Sequence, residues 1–170
     1  MKVEYDVFYQ QLENLIGQEY DLTDMQNKFY SILAEFRNMA GIPKLKIKMR
    51  KTLAPGGSTE EKIAFSPHFP TQVVVRGFTL DQMFRNKVLA LLDRGEIRDA
   101  FDMEFLARRG VDLDLNEADK KKIIERLQGF RKRDFSVKLG SVLLPELREY
   151  YNQKRFVYLE EKLTFDKWSI

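Results

Sequence analysis

Between Thr79 and Gly110 the chain reads TLDQMFRNKVLALLDRGEIRDAFDMEFLARRG, a pattern of two helices joined at Gly95. Leu80, Met83, Phe84, Val88 and Leu91 recur at helical spacing and form one apolar stripe. Lys87 falls in the middle of that stripe, and Arg94 lies on it two turns later. On the following helix Asp99 shares a side with Met103 and Leu106, and Asp102 lies one turn further along. A charge on a buried face is costly unless it is paired. These four residues are therefore expected to meet one another or a charged ligand.

Helical patterning continues to the C-terminal end. Helices are expected at 80–94, 96–109, 116–132 and 145–162, with a shorter one near 136–143. Thr79 with Gln82 has the spacing of a capping box, Asn116 can cap the third helix, and Pro145 suits a first helical turn. Upstream, residues 4–19 read as a helix with Val7, Phe8, Leu12, Leu15 and Ile16 on one side. A second helix is expected from Thr23, where Thr23 and Gln26 again have capping-box spacing. Phe29, Ile32, Leu33, Phe36 and Ala40 follow, and Gly41 and Pro43 end it.

The period then changes to two. Leu45, Ile47 and Met49 alternate with Lys44, Lys46, Lys48 and Arg50, the pattern of a half-buried strand. Residues 54–59 (APGGST) read as a turn, and 62–66 and 72–76 as two further strands. The expected order is two helices, three strands and a helical region. The fold class is α+β: a small antiparallel or mixed sheet with flanking helices in residues 1–77, and a helical region in 78–170, packed as one compact domain.

Composition sets the class of protein. A chain of 170 residues with 44% apolar residues and thirteen Phe has enough material for a core. No apolar run approaches the roughly 20 residues that span a bilayer, and MKVEYDVFYQ has no apolar core of the signal-peptide kind. With no cysteine there is no disulfide framework and no thiolate metal site. The expectation is a cytoplasmic protein with no membrane partner. A net charge of +3 gives no overall field, but Lys44, Lys46, Lys48 and Arg50 are clustered. They form either an RNA- or phosphate-facing surface or a Lys-rich edge that discourages strand-to-strand aggregation. The runs at 120–122 and 131–133 read as solvated helix faces. His68, the single histidine, sits between prolines and is a poor metal signal.

Two roles fit the charged quartet. Either Lys87 or Arg94 pairs with Asp99 or Asp102 and locks the helix pair, or the cations hold a nucleotide's phosphates beside a working carboxylate. The wording of the segment bears on this choice. K-x₂-A-L-x₂-R, then R-D-x₂-D-x₂-F-L-x₂-R-G, resembles the second half of the abortive-infection nucleotidyltransferase toxins of the AbiEii/AbiGii type. The residues that carry the match are Lys87, Ala90, Leu91, Arg94, Arg98, Asp99, Asp102 and Leu106.

The resemblance implies a nucleotidyltransferase-like fold and transfer of a nucleotide from an NTP, with Mg²⁺, to RNA or protein. In that chemistry metal-bound carboxylates position the triphosphate and cations neutralise the leaving pyrophosphate. By the resemblance Lys87, Arg94 and Arg98 are the nucleotide- or phosphate-binding residues. Asp99 is a candidate catalytic base or polar anchor, and Asp102 stands beside it in that role.

Two elements of the family pattern differ. The family opens on a Gly-Ser or Gly-Gly turn followed by D-x-D, which supplies the metal site. Here Gly56-Gly57-Ser58 follows the basic strand, and the D-x-D of Asp112 and Asp114 lies after the second helix of the pair in a polar loop. On the strand LKIKM the family carries a further carboxylate, and this chain has Lys46 and Lys48, which bring positive charge to a cation site. The expected protein is a family member without the front of its active site. It is inactive alone, either truncated or completed by a partner chain that supplies the missing half, and Mg²⁺ and NTP are its cofactors only in the completed form. An antitoxin is the other implied partner. The alternative is a non-catalytic nucleotide-, RNA- or protein-binding module.

Overall fold

A computed structural model of the chain describes residues 4–38, 44–51, 57–66 and 69–165. Residues 54–56 of the turn expected at 54–59, the expected helix end at Gly41 and Pro43, and His68 lie outside them. The chain divides into two compact units, Met1–Gly56 and Gly57–Ile170.

The first unit begins with helix α1 (Tyr5–Glu19) and continues as a three-stranded antiparallel sheet. The strands are β1 (Asp21–Asn27), β2 (Ser31–Arg37) and β3 (Lys44–Arg50), in the spatial order β1-β2-β3. The second expected helix is therefore a hairpin, and the correction has a physical cause. A short apolar run such as Ile32-Leu33-Ala34-Glu35-Phe36 fits both periods, and a long-range partner decides between them.

That partner is β3. Ile32 lies opposite Met49, Ala34 opposite Ile47 and Phe36 opposite Leu45, so the alternation of β3 is matched position by position on β2. Thr23 caps no helix. It sits where the β1–β2 register shifts, and its Oγ1 donates to the carbonyl of Glu35 at 3.0 Å. Ile16 of α1, Ala34 and Phe36 are buried together, with Leu12, Leu22 and Met25 packed around them. β3 is an edge strand, and its apolar side is more open than the half-buried pattern suggests: Leu45 and Ile47 remain exposed.

The second unit begins with the antiparallel hairpin β4 (Thr59–Ser66) and β5 (Phe69–Phe78) and continues as helices. α2 (Leu80–Arg94), α3 (Ile97–Arg108) and α4 (Glu117–Gly129) lie within two residues of their expected starts. Thr79 accepts the amide of Gln82 at 3.2 Å, and Asn116 accepts that of Asp119 at 2.9 Å, so both expected caps form. The expected short helix is a wide π-type turn at Asp134–Leu139 followed by a 3₁₀ turn at Gly140–Val142.

The last expected helix is two: α5 (Pro145–Lys154) and α6 (Val157–Thr164). Arg155, at φ 52°, breaks it. The break seats Phe156 wholly inside the core against Phe130, Phe135 and Tyr151. The core of this unit runs through α2, α3, α4, the π-type turn, α5 and α6, with Leu91, Ala100, Met103, Ile123, Leu139 and Leu159 fully buried. The fold is α+β. Among the described residues no helix is long and apolar enough to cross a membrane.

Candidate functional site at the joint of two helices

The joint between α2 and α3 is built by Gly95. It takes the left-handed conformation (φ 66°) that ends α2, and its amide donates to the carbonyl of Leu91 at 3.0 Å. The turn sets Arg94, in the last turn of α2, against Asp99, in the first turn of α3. Each charge also suits the partial charge of its own helix end.

Asp99 is fully buried and its carboxylate is fully engaged. Arg94 grips it as a fork, Nε to Oδ2 at 2.7 Å and Nη2 to Oδ1 at 2.7 Å. Lys87, two turns back on α2, donates from Nζ to Oδ1 at 3.3 Å. The same ammonium lies 2.5 Å from Oδ2 of Asp102. Lys87 thus joins a buried aspartate to a half-exposed one. The side chains are 31% exposed for Lys87, 39% for Asp102 and 57% for Arg94.

The electrostatics follow from this geometry. Burial by itself raises the Asp99 carboxyl, but the hydrogen bonds and charges of Arg94 and Lys87 outweigh it and hold Asp99 below its usual value of 3.8. Lys87 is opposed by its own burial, yet Asp102 and Asp99 raise its ammonium above the ordinary lysine value. Arg94 is raised by its hydrogen bond to Asp99. At neutral pH the cluster holds two cations and two anions, with Asp99 an oriented anion. A carboxylate so stabilised is a weak proton acceptor and a strong positioning group.

Four of the five α2–α3 residues named from the sequence, Lys87, Arg94, Asp99 and Asp102, come together. Arg98 does not join them: its Nη2 reaches the carbonyl of Lys138 at 3.4 Å. Asp112 and Asp114 are exposed in the loop after α3. The basic stripe belongs to the other unit. Within it Lys44 and Lys46 lie 3.1 and 3.6 Å from Glu35 on β2, and these contacts, with the Lys44 hydrogen bond foremost, lower the Glu35 carboxyl. Lys48 and Arg50 are exposed on the same edge strand. Among the described residues no three His, Asp or Glu side chains gather as a metal-binding group.

A second buried carboxylate escaped the sequence reading. Glu104 of α3 is fully buried and accepts from Arg108 (Nε 3.1 Å, Nη2 2.9 Å), from the hydroxyl of Tyr151 at 3.0 Å and from the amide of Leu159 at 3.3 Å. Burial and the neighbouring Glu104 charge raise the Tyr151 phenol well above its ordinary value. Arg108 lies over the Tyr158 ring at 4.1 Å. This network ties α3 to α5 and α6, and so holds the helix that presents Asp99 and Asp102. The only signal for it in the sequence is the i,i+4 spacing of Glu104 and Arg108.

No curated protein and no solved structure matches the chain. The family described as nucleotidyl transferase AbiEii toxin, type IV TA system, matches residues 3–168, nearly the whole length. The match runs through both units and through the Lys87–Asp102 cluster, and a toxin of this kind implies an antitoxin counterpart. The chain belongs to the AbiEii nucleotidyl transferase toxin family of type IV toxin–antitoxin systems.

Proposed function

We propose that the chain is a nucleotidyltransferase-like toxin chain whose α2–α3 joint binds the phosphates of a nucleotide, and that it does not transfer nucleotides alone. The observation that carries the reading is the asymmetric grip on Lys87. Its ammonium is charged, partly open to water and held in place from behind by the buried Asp99, which Arg94 grips in turn. A pre-oriented cation on a rigid helix pair suits an anionic ligand, because little side-chain freedom is lost on binding. Arg94, more than half exposed, can turn its outer edge to the same ligand while keeping Asp99.

Asp99 acts in this proposal as the anchor of the two cations. Both its oxygens are committed to them, which leaves it poorly placed as a metal ligand. Lys46 and Lys48, at strand positions where the resemblance implies a carboxylate, oppose a divalent cation there. A partner chain would therefore supply the carboxylates for Mg²⁺, and with it the transfer step. Lys44, Lys46, Lys48 and Arg50 would offer a second, salt-sensitive surface for RNA phosphates.

The test pairs binding with transfer. The purified chain is expected to bind nucleoside triphosphates and to incorporate no labelled NTP into RNA or protein, and Lys87→Ala is expected to weaken binding about tenfold or more. Robust incorporation by the chain alone, abolished by Lys87→Ala, would overturn the inactivity. The absence of any triphosphate binding would leave the four charges as a lock between helices.

A further inference from the structure

The two aspartates of the cluster are held in different ways. Asp99 is fully buried and receives three hydrogen bonds, two from Arg94 and one from Lys87. Asp102 is 39% exposed, and its one ion pair among the described residues is with Lys87, at 2.5 Å. Removing Asp99 from its partners would strand a charge in the core. Removing Asp102 from Lys87 would return a half-exposed carboxylate to water, at a smaller cost than uncovering the buried Asp99.

We infer that Asp102 is a displaceable counter-ion that occupies the phosphate position on Lys87 until a ligand takes it. An ammonium has three donors, and Lys87 commits two of them, one to the fixed Asp99 and one to Asp102. A phosphate group arriving from solvent takes the third donor first, and its second oxygen then competes for the Asp102 side of the ammonium, because the other side is closed by the buried carboxylate. Asp102 then swings out, and its charge, still close by, opposes the bound anion. The residue sets the threshold for occupancy: its carboxylate balances the Lys87 charge in the free protein and lets only a multiply charged phosphate group replace it. Asp99 and Arg94 do not move in this exchange.

This inference rests on the proposed phosphate-binding role of the joint, and the experiment separates the two. Binding of inorganic triphosphate and of the four nucleoside triphosphates to the full chain is measured in EDTA by titration calorimetry. The variants are wild type, Asp102→Asn, Lys87→Ala and the double variant. Asp102→Asn is expected to bind roughly five- to tenfold tighter, the effect of deleting one like charge at ion-pair distance near a surface. In the Lys87→Ala background the same substitution is expected to change affinity less than twofold, because the competition it relieves is for Lys87.

Melting temperature provides the folding control. Asp102→Asn should melt closer to wild type than Asp99→Asn does, as a half-exposed pair predicts beside a buried one. Triphosphate binding by wild type with no gain in Asp102→Asn would overturn the displaceable counter-ion and leave the phosphate site standing. A gain of equal size with and without Lys87 would overturn it too, since it would reflect general charge rather than exchange at one ammonium. No binding by wild type or by Asp102→Asn would overturn both.

Discussion

At the scale of single residues, the fate of a charge follows from which of its partners is out of water. Asp99 is buried and Arg94 is more than half exposed, so the pair is unequal: the arginine can live without the aspartate more easily than the reverse. Arg94→Met is expected to leave Oδ2 of Asp99 buried without a donor. The cost should be about 1–2 kcal/mol, at the low end for a lost charged hydrogen bond because water can approach the vacated side. Chemical denaturation at neutral pH measures it. The pH dependence has a definite sign. The folded Asp99 value lies below 3.8, so the stabilisation is fully present above pH 3.8 and is lost as pH falls through the folded value. Without Arg94 the burial of Asp99 is less well offset, so the gap between wild type and Arg94→Met should be largest near neutrality and close as acid protonates the carboxylate, first in the variant and then in wild type. A gap that widened on acidification would contradict an ionised Asp99 held by Arg94.

At the scale of elements, local signals and long-range partners divide the fold between them. Helices α2, α3 and α4 were legible because caps, breakers and periodicity agree: Thr79 and Asn116 cap, and Gly95 stops. The quartet at their joint was legible for the same reason, since a charge inside an apolar stripe is visible wherever the stripe is. The β1–β2 hairpin was not. Its apolar residues fit a helix as well as a strand until β3 is laid beside them, and Thr23 has capping spacing without a helix to cap. Nor was the network of Glu104, whose partners Tyr151 and Leu159 lie about fifty residues away. The break at Arg155 had no signal either, because no glycine or proline marks it. That break makes a prediction. A non-glycine residue at φ 52° is strained; Arg155→Gly and Arg155→Ala both lose the contact with the Phe135 ring, but only glycine relieves the strain, so Arg155→Gly should be more stable than Arg155→Ala by about 1 kcal/mol. Thermal melts with Arg155→Gly above Arg155→Ala would establish the strain; equal melting temperatures would dismiss it.

At the scale of the whole molecule, burial is unevenly shared, and stability against local opening should follow. In the Gly57–Ile170 unit one continuous core runs from Phe84 to Leu163 and takes in all the helices after the hairpin. In the Met1–Gly56 unit the buried cluster is Ile16, Ala34 and Phe36 with three partly buried neighbours. The β4–β5 hairpin exposes Ile63, Phe65, Val73, Val74 and Val75, so its strands gain little from packing, and a two-stranded ribbon is marginal by itself. Amide exchange reads these differences directly, because each amide reports the smallest opening that frees it. The slowest amides are expected in α2, α3 and α4, around Leu91, Met103 and Ile123, where side chains are fully buried. Those of β2 should exchange at intermediate rates, since the strand is central in its sheet and covered by α1. Those of β4 and β5 should exchange fastest among the paired strands. Slow exchange throughout β4–β5, matching α3, would mean that something covers the hairpin in solution. The same experiment repeated with a bound triphosphate should slow exchange at the α2–α3 joint and leave β2 unchanged, because the ligand would hold the Lys87–Asp99–Arg94 cluster within one unit.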